Sequence, residues 1–178
     1  MQTFGTLTLQ PALERPDLLG DPVSKALASW QHARDVGVAE IDPDLADTAA
    51  MTEAYDVPLE SSANCVVVMG RRGGEERTAA CVVRADTRAD VNNAVRRTLD
   101  VRKCSFLEHD RAVAETGMEY GGITPIGIPA HWRLLIDASV VDIDITIIGS
   151  GIRSSKLFVP GRLLCLLPEA ELITDLAH

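Results

Sequence analysis

The chain has 178 residues, 46% apolar and 24% charged, enough for one domain with a sizeable core and ordinary for a globular protein. Its net charge of −9 argues against avid non-specific nucleic-acid binding, which depends on neutralising many phosphates. No apolar run approaches the roughly 20 residues of a membrane span, and the N-terminus lacks a basic region followed by an apolar one. Cys65, Cys81, Cys104 and Cys165 lie far apart with no C-x-x-C pair, so disulfide or zinc use is not expected and a reducing cytoplasm is.

The charge is unevenly placed. Residues 1–70 carry 11 acidic and 3 basic groups, residues 71–111 carry 7 and 10, and residues 112–178 carry 8 and 4. The basic middle leaves room for a limited RNA contact, and Arg71, Arg72, Arg96 and Arg97 are its candidates.

In chain order, residues 1–22 read as an irregular lead-in with a short strand at Thr6–Leu9. Asp21-Pro22 predicts a helix start, with Asp21 as cap and a run to about Ala33. A short strand follows at Val38–Ile41, then a helix capped by Asp47 or Thr48 and ending near Tyr55. Cys65–Met69 and Thr78–Val83 predict two buried strands joined as a hairpin by a loop of about 5–7 residues. A helix is expected from Asp86-Thr87, a short extended piece at Cys104–Phe106, and a helix from Asp110 to Thr116 ended by Gly117. Arg133–Asp137, Asp142–Ile148 and Lys156–Val159 read as strands, and Pro160–Ile173 as one or two terminal helices. The expected fold class is mixed α/β (α+β), one domain with a curled mixed sheet or barrel-like core flanked by helices.

The remaining stretch, Gly117-Met-Glu-Tyr-Gly-Gly-Ile-Thr-Pro-Ile-Gly127, is rich in Gly and Pro. Such a loop can present several amide N–H groups in one arc, which suits an anion or a carbonyl oxygen. A tight helix-to-strand connection is the plainer reading of the same residues. Other chemistries lack their signatures. There is no G-x-G-x-x-G, no G-K-[ST] and no G-x-S-x-G, and His32, His109, His131 and His178 show no zinc spacing. His131, close after the loop, stays a candidate.

Read with its flanks, Thr116 to Gly127 closely resembles the T-G-x-x-x-G-G-[VI]-[ST]-P-[IL]-G core of the YbaK/prolyl-tRNA-synthetase-associated editing domains. Leu135-Ile136-Asp137, Ile148-Gly-Ser-Gly151, Pro160-Gly-Arg-Leu163 and Thr48–Tyr55 extend the resemblance. It implies a YbaK-like domain over 36–178, with the lead-in and helix over 1–35 as part of the same domain. It implies a free-standing, metal-independent deacylase that cuts the ester of a mischarged tRNA, with no cofactor, no membrane or DNA partner, and an aminoacyl-tRNA synthetase as a further partner. The catalytic residues it implies are Gly121, Gly122, Thr124, Pro125 and Asn64. Ile123, Ile126, Gly127, His131, Asp137, Gly149, Ser150 and Gly151 are implied as substrate-binding. The sequence departs from the family at Ala63-Asn64-Cys65, where members carry a lysine at the position of Asn64. Arg71, Arg72 and Lys156 are the cations that folding could bring there. The alternative implied is a homologue without catalysis, binding an aminoacyl group, a nucleotide or a protein partner.

Overall fold

A computed structural model describes residues 2–178. The start of the chain is more ordered than its Pro and Gly content suggests. Gln2–Phe4 (β1) and Leu7–Pro11 (β2) pair as an antiparallel hairpin, and β2 goes on to pair with Gly37–Glu40 (β3). Asp21–Ser29 (α1) buries Val23 and Leu27; its cap is Gly20, with Asp21 already helical and Pro22 in the first turn. The helix ends four residues earlier than expected, and a 3-10 turn takes Ala33–Asp35.

Thr48–Tyr55 (α2) closes on Asp56, which adopts the left-handed conformation at φ 53°. Ala63–Arg72 (β4) and Glu75–Arg84 (β5) then form a hairpin much tighter than the expected loop. Their pairing continues through Arg71↔Glu76 and Arg72↔Glu75 to a turn of Gly73 and Gly74 at φ 60° and 86°. The apolar run marks only the buried half of this ladder; Arg–Glu pairing carries the exposed half. The helix expected from Thr87 begins later, as a π-turn over Val91–Val95 that runs into Arg96–Thr98 (α3). Asp90 is its cap, accepting from the amides of Asn93 and Ala94.

Cys104–Phe106 (β6), His109–Thr116 (α4) with Gly117 left-handed at φ 66°, and Arg133–Asp137 (β7) follow close to expectation. Thr146–Gly149 (β8) is shorter than the expected Asp142–Ile148 because residues 141–145 turn after the 3-10 segment Ala138–Val140, the Ile143 N–H donating to the Val140 carbonyl at 3.2 Å. Ser155–Val159 (β9) leads into the short helix Gly161–Leu164 (α5). The second terminal helix is instead a strand, Ala170–Ile173 (β10), parallel to β7.

Among the described residues ten strands make two five-stranded sheets, which do not close into a barrel. One sheet, in the order β1-β2-β3-β9-β8, is antiparallel throughout. The other, β10-β7-β5-β4-β6, is parallel at β10–β7–β5 and antiparallel at β5–β4–β6. The principal core lies between them: Val38, Ile148, Leu157 and Val159 pack with Ala80, Val82, Leu134 and Ile136. Burying each large aliphatic chain contributes about 1.5–3 kcal/mol relative to exposure. A parallel bridge, Ser62↔Ile147, ties the start of β4 to β8 and brings the two sheets together at one end. Among the described residues no helix is long and apolar enough to cross a membrane.

Candidate functional site

A cavity of about 460 Å³ opens where the bridge joins the sheets. Its walls come from the start of α2, the first residues of β4, the Gly-rich loop, the end of β8 and Lys156 on β9. Apolar side chains dominate, including Met51, Val67, Leu107 and Ile147. Cys65 also lines it, but burial pushes its thiol up to about 12, which makes it a poor nucleophile.

The Gly-rich loop is held by a second Gly-rich turn. Gly122 donates its N–H to the Glu119 carbonyl at 2.9 Å and accepts from the Gly151 N–H at 2.8 Å. The Glu119 N–H donates to the Gly151 carbonyl at 2.9 Å, and its carboxylate accepts from the Arg153 N–H at 2.7 Å. The Arg153 guanidinium reaches both the Tyr120 carbonyl at 3.3 Å and the Pro43 carbonyl at 2.9 Å. This seam tolerates no side chain at its centre: a Cβ on Gly122 would come within 2.7 Å of the Ile152 carbonyl oxygen. Gly122 therefore serves the fold, its amide already engaged. The amides of Gly121 and Ile123, the two signature glycine and isoleucine positions at the cavity wall, have no partner among the described residues.

The polar residues of the cavity are Asp47, Thr48, Ser62, Asn64, His109, Tyr120 and Lys156. Thr48 donates its hydroxyl to the Asn64 Oδ1 at 3.0 Å, leaving the Asn64 amide nitrogen without a partner among the described residues. The Ser62 hydroxyl is buried and equally unpartnered. Lys156 is 7% exposed, and no described residue accepts a hydrogen bond from its ammonium or lies in salt-bridge range. The register pairs it with Gly149, whose backbone packs on Gly122 and Ile123, so the amine sits across the seam from the loop. Burial, reinforced by the Arg153 charge, lowers its pKa to about 8, and Asp47 offsets this in part.

Of the residues implied by the sequence, Asn64, Gly121, Ile123 and Gly149 line this cavity. Thr124 lies wholly buried beside them with its hydroxyl unpartnered. Pro125, Ile126 and Gly127 line a different groove, with Trp30 and Trp132. His131 is exposed and sets its ring edge-on to Trp132. Asp137 does not reach the cavity: its carboxylate caps the Ser139 N–H at 2.9 Å and accepts from the Ala177 N–H at 3.1 Å, fastening the C-terminal segment. Ser150 is buried in a hydroxyl pair with Ser155 at 2.7 Å, and Gly151 packs on Gly20. Arg71 pairs with Glu76 and Arg72 with Asp100 at the hairpin tip, and neither reaches the cavity. Lys156 is the cation that does. Its one sequence signal is that it stands as the only charged residue in Ser155–Val159, a strand buried at every position.

The sequence model of the aminoacyl-tRNA editing domain matches residues 42–165. No curated protein matches the chain. Among solved structures, the hypothetical protein APE2540 superposes with a TM-score of 0.77 at 16% identity, covering 89% of this chain and 100% of that one. A proposed trans-editing enzyme for prolyl tRNA synthetase superposes with a TM-score of 0.73 at 16% identity, covering 94% of this chain and 98% of that one. At this identity the superpositions speak for the fold alone.

Proposed function

This chain belongs to the aminoacyl-tRNA editing domain family, and from that premise we propose that it hydrolyses, in trans, the ester of a mischarged tRNA. One observation carries the reading: Gly121 and Ile123, whose amides have no partner among the described residues, line the same cavity as Lys156, a largely buried lysine whose ammonium has no hydrogen-bond or salt-bridge partner among them. All three are donors, and an ester carbonyl under attack develops negative charge that such donors stabilise. Water adds to the carbonyl carbon, the oxyanion forms against these donors, and the bond to the ribose oxygen breaks. That oxygen leaves as a hydroxyl with one proton of the water, the amino acid leaves as a carboxylate, and the second proton passes to solvent. The apolar walls keep bulk water from screening the donors. The domain is taken to span residues 36–178, with 1–35 packed as part of it. A reducing cytoplasm suits its four free cysteines.

On this reading Lys156, from the opposite sheet, supplies the positive charge that family members carry at the position of Asn64. The binding-module reading draws on Asn64 itself, whose oxygen is engaged by Thr48 and whose side chain brings no charge.

The pH profile separates the two. Lys156 is protonated below about 8 and loses its charge above it, with Asp47 and Arg153 acting on it from the facing elements and the Cys65 thiol neutral throughout this range. Deacylation of a mischarged tRNA, corrected for spontaneous hydrolysis, is expected to hold a plateau below pH 8 and to fall through it. A rate that rises steadily with pH across that range would show that the ammonium plays no part.

A further inference from the structure

The chain has seven Phe, Trp and Tyr residues, and only Phe106 and Tyr120 are largely exposed, at 63% and 58%. Both line the cavity described above and so stand at its mouth. Exposed aromatic rings forgo the burial that drives folding, and two at one opening mark a surface kept for contact. Phe106 is held out by its place on the edge strand β6, where it pairs with Val68 of β4. Tyr120 is braced by His109, whose ring centroid lies 4.2 Å away at a tilt of 41°.

Phe106 is also a partition. On its far side lies a second hollow of about 660 Å³, which shares Asn64, Val66 and Phe106 with the cavity. Beyond them this hollow mixes apolar Val83 and Val91 with polar side chains, among them Arg88, Asp90, Asn92 and His178. The Arg88 guanidinium makes no ion pair among the described residues, and the Asp90 carboxylate beside it is engaged in capping the helical turn. The surface thus runs from the cavity of Gly121, Asn64 and Lys156, past two exposed rings, into a hollow with an unpaired guanidinium and the Asn92 amide.

We propose that Phe106 and Tyr120 seat the unpaired 3′-terminal nucleoside of the substrate RNA, with the preceding nucleotide lying in the hollow beyond Phe106. The inference rests on the deacylase reading for where the ester lies. The esterified ribose carries its base directly, so a base one sugar ring from Gly121 must lie at the mouth, where the rings are. Unpaired terminal bases are recognised by stacking on Phe, Tyr and His. Arg88 and Asn92 offer donors to phosphate and ribose oxygens, which an apolar peptide would leave unused.

The test uses the trinucleotide CCA as probe, titrated into the intact protein by calorimetry. The wild type binds it, and the double variant Phe106→Ala/Tyr120→Ala weakens that binding about tenfold or more. Phe106→Trp and Tyr120→Phe, which keep the stacking faces, hold the affinity within about twofold. Both sites are exposed, so the variants fold, and their unchanged melting temperatures confirm it. A wild type that does not bind CCA, or a double alanine variant that binds it equally well, overturns the seat. Deacylation on the same samples keeps the two readings apart. The seat requires the alanine changes to raise KM with kcat nearly constant. Binding that behaves as described with no tRNA deacylated leaves the seat standing and removes the deacylase.

Discussion

Replacing Lys156 by methionine is expected to abolish most deacylation while making the protein more stable. An oxyanion that loses one preorganised donor loses about 100- to 1000-fold in rate. Stability moves the other way because Lys156 is largely buried and its ammonium has no hydrogen-bond or salt-bridge partner among the described residues. Its pKa falls from 10.5 to about 8 on folding, so between those values the unfolded chain binds the proton that the folded one gives up. Stability therefore rises with pH across that window, and below about pH 8 the full penalty is present. By linkage it is about 3 kcal/mol at neutral pH. Methionine fills the same volume without charge, so Lys156→Met should raise the melting temperature at pH 7 by about 5–10 °C. The gain should shrink as both proteins are melted at rising pH. A variant that melts lower and keeps its rate would make Lys156 a structural residue and remove it from the chemistry.

Gly149→Ala is expected to damage both properties together. Its added Cβ would lie 2.8 Å from the Gly122 carbonyl carbon and the Ile123 carbonyl oxygen, both of them backbone atoms. Neither can rotate away, so the two Gly-rich turns must part. Overpacking of this kind costs about 1–3 kcal/mol. The functional loss should be larger in proportion, because the displaced Gly122 carbonyl is bonded to the Ile123 amide and adjoins Gly121 in the loop. Misplacing catalytic donors by about 1 Å costs on the order of 100-fold. Gly74→Ala is the control: it lies at φ 86° on the hairpin tip with nothing within 4 Å of a new Cβ. It should cost about 1–2 kcal/mol of backbone strain and leave the rate alone. Circular dichroism melts with single-turnover rates on both variants decide the matter, and near-wild-type values for Gly149→Ala would mean that the seam yields.

What could be read from the sequence was what local chemistry dictates. The Gly117 cap, the continuous apolar run of β4 and the signature from Thr116 to Gly127 each carry their meaning within a few residues. β10 was not legible, because Ala170-Glu-Leu-Ile173 favours a helix by propensity and becomes a strand only through its parallel register with β7. The same holds within the site. Asn64, Gly121, Ile123 and Gly149 sit in or beside recognisable motifs, and the fold brings them to one cavity. Asp137 ends a strand as a functional aspartate would, yet its carboxylate holds the C-terminal segment. Lys156 carries no motif at all. Only the pairing of β9 with β8, and the bridge from β8 to the start of β4, place it across from the loop. A lone cation within a wholly buried strand was the trace it left.

The most direct measurement is release of labelled amino acid from a panel of mischarged tRNAs by the purified wild type and by Lys156→Met. We expect at least one mischarged tRNA to be deacylated about 100-fold faster than its spontaneous hydrolysis by the wild type, and near the spontaneous rate by the variant. A panel in which the wild type accelerates no ester, while still binding the aminoacyl-tRNAs, would contradict the deacylase and leave a binding module.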